Sequence, residues 1–98
     1  MPVIGKRLKE ARIRAGLSQE KLGLEAGLDE MSASTRMNRY ELGKRTPAPE
    51  LVERLATVLN VPAAYFYAPE DDIAELLVLF HQLAKPEREK ILAIVRSI

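Results

Sequence analysis

The segment Ser34-Thr35-Arg36-Met37-Asn38-Arg39 and, past Gly43, the run Lys44-Arg45-Thr46 gather side chains that form directed hydrogen bonds. Arginine carries a planar fork of donors, asparagine a donor beside an acceptor, and serine and threonine a hydroxyl that does either. Those geometries match base edges and phosphate oxygens: arginine pairs bidentately with guanine, asparagine with adenine. Catalysis is poorly supplied by comparison. His81 is the single histidine and there is no cysteine. A structural or surface histidine accounts for it, and a metal-ligand cluster of the usual spacing cannot be assembled. No glycine-rich phosphate loop follows a strand. The chemistry expected is binding, with no enzyme activity, no metal and no cofactor.

The charge distribution points the same way. Net charge is only +1, yet residues 1–48 hold ten Lys/Arg against six Asp/Glu, and residues 49–98 hold five against eight. A basic half on a near-neutral chain suits a face for a polyanion. Ordinary solvated charge is the plainer alternative. The 98 residues are 47% hydrophobic, enough for one domain with an aliphatic core. Apolar runs such as Leu76–Phe80 are far too short to span a bilayer. Lys6 and Arg7 interrupt any signal-peptide core. With no disulfides possible, a cytoplasmic setting is expected.

The elements that must position these side chains are all helical. Ile4, Leu8 and Ala11 form one stripe, ended at Ala15-Gly16. Ser18 is an N-cap for a second helix with Leu22 and Ala26 inward and Gly27 as its stop, although Lys21 stands where a capping box needs Glu or Gln. A third helix is expected from Ser34 to Leu42, closed by Gly43. Met37 and Tyr40 should face the core with Leu42 nearby, leaving Ser34, Thr35, Arg36, Asn38 and Arg39 outside. Pro49 suits the first turn of a helix to Leu59 with Leu51, Leu55 and Val58 inward and Asn60 at its end. Pro62 opens a short turn, Ala63–Tyr67. Asp71 or Asp72 then caps one helix, and Pro86 starts the last.

The joint occurrence, in order, of Leu17-Ser18-Gln19, Ala26-Gly27, Arg39-Tyr40-Glu41 and Gly43-Lys44-Arg45-Thr46-Pro47 resembles the Xre family of transcriptional regulators, with lambda repressor and Cro, over residues 4–67. The resemblance implies an all-α fold, a five-helix lambda-repressor-like helix-turn-helix domain at 1–68 followed by two C-terminal helices at 69–98. It implies a sequence-specific regulator of repressor type whose recognition helix enters the major groove of double-stranded DNA. Base contacts fall to Ser34, Thr35, Arg36, Asn38 and Arg39. Phosphate contacts fall to Ser18, Lys44, Arg45, Thr46 and Gln19, which otherwise braces a recognition-helix side chain. An antitoxin that also neutralises a partner protein, or a protein-interaction module of the same fold, is the alternative.

One segment departs from the pattern. Leu28-Asp29-Glu30-Met31-Ser32 adds about four residues to a turn that is usually 3–4 long. It either enlarges the turn or lengthens the recognition helix, and its two carboxylates stabilise a helix N-terminus, accept from cytosine or repel phosphate. The extra residues are expected to shape the site rather than hold the fold. Beyond the domain, Ile73, Leu76, Leu77, Phe80 and Leu83 on one helix, and Ile91, Leu92, Ile94, Val95 and Ile98 on the next, need cover. The same chain can supply it, but a homodimer is preferred, because two-fold pairing doubles the base pairs read.

Overall fold

The computed structural model describes residues 3–98; Met1 and Pro2, the start of the expected 1–68 domain, lie outside the described residues. Among the described residues the chain forms six α-helices and one short 3-10 helix, with no strand. They are α1 (Val3–Arg14), α2 (Gln19–Glu25), α3 (Ala33–Glu41), α4 (Pro49–Leu59), the 3-10 turn (Ala63–Tyr67), α5 (Asp71–His81) and α6 (Lys85–Arg96).

The stops and starts obey local chemistry. Gly27 and Gly43 end α2 and α3 with φ of 91° and 75°, a region closed to most side chains. Asn60 caps α4 in the same left-handed conformation, φ 54°, a role its short amide tolerates. Ser18 Oγ accepts from the Lys21 amide at 3.0 Å and so caps α2 without help from a box. Three starts differ by a residue. α3 begins at Ala33 rather than Ser34, α6 at Lys85 rather than Pro86, and α5 comes directly after Glu70, so that Asp71 and Asp72 sit inside its first turn.

The core is aliphatic. Leu8, Leu22, Ala33 and Met37 are fully covered, and Tyr65 and Phe66 of the 3-10 turn close it from below, their rings edge to face. α4 buries Leu51, Val52, Leu55, Ala56 and Leu59, while Val58, expected inward, is half-buried; Ile4 is likewise only half-buried. Leu42, expected near the core, is 49% exposed, because α3 ends just before it and turns it outward.

The insertion is a turn. Seven residues separate α2 from α3. Leu28 drops into the core, and its amide donates to Gly23 O at 2.9 Å. Asp29 organises the rest of the turn. Its carboxylate accepts from the Met31 amide at 3.0 Å and its carbonyl from the Ala33 amide at 2.8 Å. Contrary to the expectation that these residues would not hold the fold, the segment supports it, through a core side chain and the first hydrogen bonds of α3.

The C-terminal part divides in two. Ala74 and Val78 of α5 join the same buried cluster as α1, α4 and the 3-10 turn. Arg7, 1% exposed, ties this joint together. Its Nε donates to Ala68 O (2.8 Å) and its Nη2 to Pro69 O (3.1 Å), and its Nη1 lies 3.0 Å from Asp71 Oδ1. The core thus continues across residues 68 and 69 into α5. α6 has no buried residue. The radius of gyration is 14.7 Å, with extents of 51 × 25 × 23 Å. A compact chain of this length would measure about 12.6 Å, so the tail extends from the body.

Candidate nucleic-acid interface

α3 is held by its rear face. Ala33, Met37 and Tyr40 are buried, one side of a helix at i, i+4 and i+7. Close approach of the neighbours is built in. A Cβ on Gly23 would lie 3.0 Å from Ala33 Cβ, and one on Gly5 would lie 2.5 Å from Glu41 O. α2 and α1 therefore meet α3 nearly backbone to backbone, at its start and at its end.

The outer face carries the side chains expected to read. Ser34, Thr35, Arg36, Asn38 and Arg39 are all exposed on α3, and Lys44, Arg45 and Thr46 are exposed on the loop after it. Arg36, Arg39, Tyr40, Arg45, Thr46 and Ala48 line one open concavity of about 410 Å³. Three guanidinium groups and two hydroxyls around one hollow can seat an anion. Arg36 is already engaged. Its Nη2 donates to the Tyr40 hydroxyl at 2.8 Å and its guanidinium lies 5.9 Å from that ring's centre.

A network braces this face. Arg12 reaches from α1 to Glu41 by two hydrogen bonds, Nε to Oε2 at 2.6 Å and Nη2 to Oε1 at 3.0 Å, and Arg12 Nη1 donates to Leu17 O at 2.9 Å. Gln19 Nε2 donates both to Glu41 Oε1 (3.1 Å) and to Asn38 Oδ1 (3.2 Å). Of the two roles expected for Gln19, bracing is the one its contacts display. Asn38 keeps its amide donors while its oxygen is taken. Glu41 is 3% exposed. A buried carboxylate is costly unless it is paired and hydrogen-bonded, and here every partner needed is present.

Arg12, Glu41 and Tyr40's hydroxyl were not among the site residues expected. Glu41 had a legible signal: it is the only acid of α3, on a helix otherwise suited to a polyanion. Its partner 29 residues away had none. Arg54 is a further case, its Nε donating to Ala26 O at 2.7 Å and fastening the end of α2 to α4. The basic half is also less uniformly directed than its charge suggested. Lys6 and Arg7 face Asp71 at the tail, and Arg14 lies over the Tyr65 ring at 5.6 Å. Arg36, Arg39, Lys44 and Arg45 remain exposed on α3 and the loop after it. Among the described residues no three His, Cys, Asp or Glu side chains are grouped to hold a metal ion.

This arrangement, two short helices with the second presented outward, is a helix-turn-helix. The helix-turn-helix domain family matches residues 3–65. A solved structure, the crystal structure of transcriptional regulator BswR, superposes with a TM-score of 0.90 at 46% identity, covering 96% of this chain and 93% of that one. Uncharacterized HTH-type transcriptional regulators of Sinorhizobium medicae (strain WSM419) and Rhizobium meliloti (strain 1021) are each 31% identical over 70 residues, 69% of this chain. The chain spans about half the length of these curated relatives, 48% in each case. The chain belongs to the helix-turn-helix family of transcriptional regulators.

Proposed function

We propose that this chain is a sequence-specific, double-stranded-DNA-binding regulator of the Xre type, working in the cytoplasm as a homodimer and repressing by occupying its operator. The observation that carries the reading is the exposed face of α3, braced from behind by Arg12, Glu41 and Gln19. A reading surface must be rigid before contact, because ordering it on contact would cost affinity. Ser34, Thr35, Arg36, Asn38 and Arg39 are the proposed base-facing set, and Ser18, Lys44, Arg45 and Thr46 the phosphate-facing set, while Gln19, whose amide nitrogen donates to Asn38 and Glu41, serves as a brace. Arg39 carries most of the discrimination, since Arg36 is held by Tyr40 and Asn38 by Gln19. No catalytic role and no cofactor are proposed. No helix among the described residues is long and apolar enough to cross a membrane.

The pairing surface proposed is the tail. Ile73, Leu76 and Leu79 of α5 and Ile94, Val95 and Ile98 at the chain's end are 44–96% exposed. The expected set is thereby refined. Leu77, Phe80, Leu83, Ile91 and Leu92 are half-buried in their own chain, and Leu79 joins the exposed group. Selection of bound sequences from a random duplex pool, followed by anisotropy titrations over a salt range, tests the function. A consensus should emerge, and log K should fall with log salt by roughly 0.9 per phosphate neutralised. A slope near zero, or no binding at low salt, overturns the reading.

A further inference from the structure

We propose that the two tails pair antiparallel about a two-fold axis, α6 of each copy lying along the outer face of α5 of the other. This rests on the tail-mediated pairing above and adds its direction and its partner surfaces. α5 presents Ile73, Leu76 and Leu79 outward, on the side away from the Ala74 and Val78 that it buries in its own core. With Asp72 and Glu75 these residues line an open concavity of about 350 Å³. α6 presents Ile94 and Val95 outward, and Ile98 beyond its end. Both stripes are apolar, both face solvent, and each helix is short enough, about 18 Å for α6, to be matched by the other.

Charge chooses the direction. Asp71 is held by Lys6 and Arg7 and Arg88 by carbonyls of its own chain, so the charges left to the pairing are Asp72 and Glu75 on α5, with no Lys or Arg, and Lys85, Lys90 and Arg96 against Glu87 and Glu89 on α6. Parallel pairing would set acid beside acid and base beside base. Antiparallel pairing sets each acidic α5 against a basic α6, and an isologous two-fold makes that contact twice. The joint between the helices keeps α6 from covering its own α5. Arg88 Nε donates to Phe80 O and to Leu83 O at 3.1 Å, and its Nη2 to His81 O at 2.9 Å. One guanidinium thus satisfies three carbonyls at the end of α5, and its centre lies 5.1 Å from the Phe80 ring centroid. Fixed in this way, α6 is offered to a second copy.

The test is charge reversal read by sedimentation equilibrium of the full-length chain. Glu75→Lys and Arg96→Glu, which face each other in the register that sets Leu76 against Ile94, act at both halves of the two-fold. Each alone should weaken the dimer about tenfold, and together they should restore it to within about threefold. A wild-type chain that is monomeric at tens of micromolar overturns the pairing itself. A wild-type dimer whose double reversal is no better than the singles overturns only the antiparallel arrangement. Cross-linking adds an independent readout, because the sequence has no cysteine. Leu76→Cys and Ile94→Cys chains, mixed and oxidised, should form a disulfide-linked heterodimer. Efficient linkage of Leu76→Cys to itself, or of Ile94→Cys to itself, in place of the mixed product would show parallel pairing and sink the proposal.

Discussion

At the scale of single residues, α3 is held by an acid. Glu41 sits among basic and neutral neighbours and is buried, so its charge is tolerable only because Arg12 grips both oxygens. Glu41→Ala leaves the guanidinium without its partner and should cost roughly 3 kcal/mol, seen as a lower urea midpoint at unchanged m-value. Replacing Arg12 and Glu41 together by apolar residues should cost less than Glu41→Ala alone. Two titrating groups mark the other end of the body. Burial, with the hydrogen bond to Glu10, pushes the Tyr65 hydroxyl up to about 12. A raised acid favours its protonated form in the folded state. Its contribution is complete below the unfolded value near 10 and is lost as pH climbs from there towards 12. Asp71 shifts the opposite way, held down by its hydrogen bonds to Lys6 and Arg7. Its contribution is present above the ordinary carboxylate range and fades as pH falls through the lowered value. Urea midpoints against pH check both, with Tyr65→Phe flattening the alkaline arm and Asp71→Asn the acid one.

Between elements, contact distance decides. Gly5 brings α1 onto the last carbonyls of α3 so closely that any Cβ would collide with backbone, which cannot swing aside as a side chain can. Gly5→Ala should therefore shift α1 and destabilise the fold by about 1–3 kcal/mol, and the displacement of α3 should also lower DNA affinity in anisotropy. The turn before α3 makes a contrasting pair. Leu28 is in the core, so Leu28→Ala should cost about 2–5 kcal/mol. Met31, 91% exposed at the tip of the same turn, should tolerate alanine with little change in thermal midpoint. Equal effects at the two positions would show that the turn is not anchored as described.

For the whole molecule, the tail is two things in sequence. A chain ending at Ala84 keeps Ala74 and Val78 over the core and should stay folded but lose the α6 part of the proposed pairing surface. A chain ending at Glu70 uncovers the 3-10 turn and should melt lower, by circular dichroism, than the Ala84 chain. On the DNA side, Arg39→Ala should cost about 1–3 kcal/mol and relax preference at one position, whereas Lys44→Ala should weaken all duplexes alike and reduce the salt slope by about one. A consensus left unchanged by Arg39→Ala would move the reading face elsewhere.

Much of this was determined by the sequence alone, because it depends on local rules. Glycines at helix ends, Ser18 as a cap, Pro49 at a first turn and the spacing of Met37 and Tyr40 each act within a few residues, so the helices and the outward face of α3 were legible. The segment after Gly27 was legible as an insertion but not as a turn, since Leu28's burial depends on a core built from other helices. The same holds for the charges. Ten basic residues in one half looked alike in sequence, yet folding sends Lys6 and Arg7 to Asp71, Arg12 to Glu41 and Arg14 to Tyr65. Pairs 29 to 65 residues apart leave no periodic trace. α5 showed the same limit. Its pattern announced one apolar stripe, and tertiary structure alone decided that Ala74 and Val78 face inward while Ile73, Leu76 and Leu79 remain open, because which side of a helix is buried depends on the body it meets.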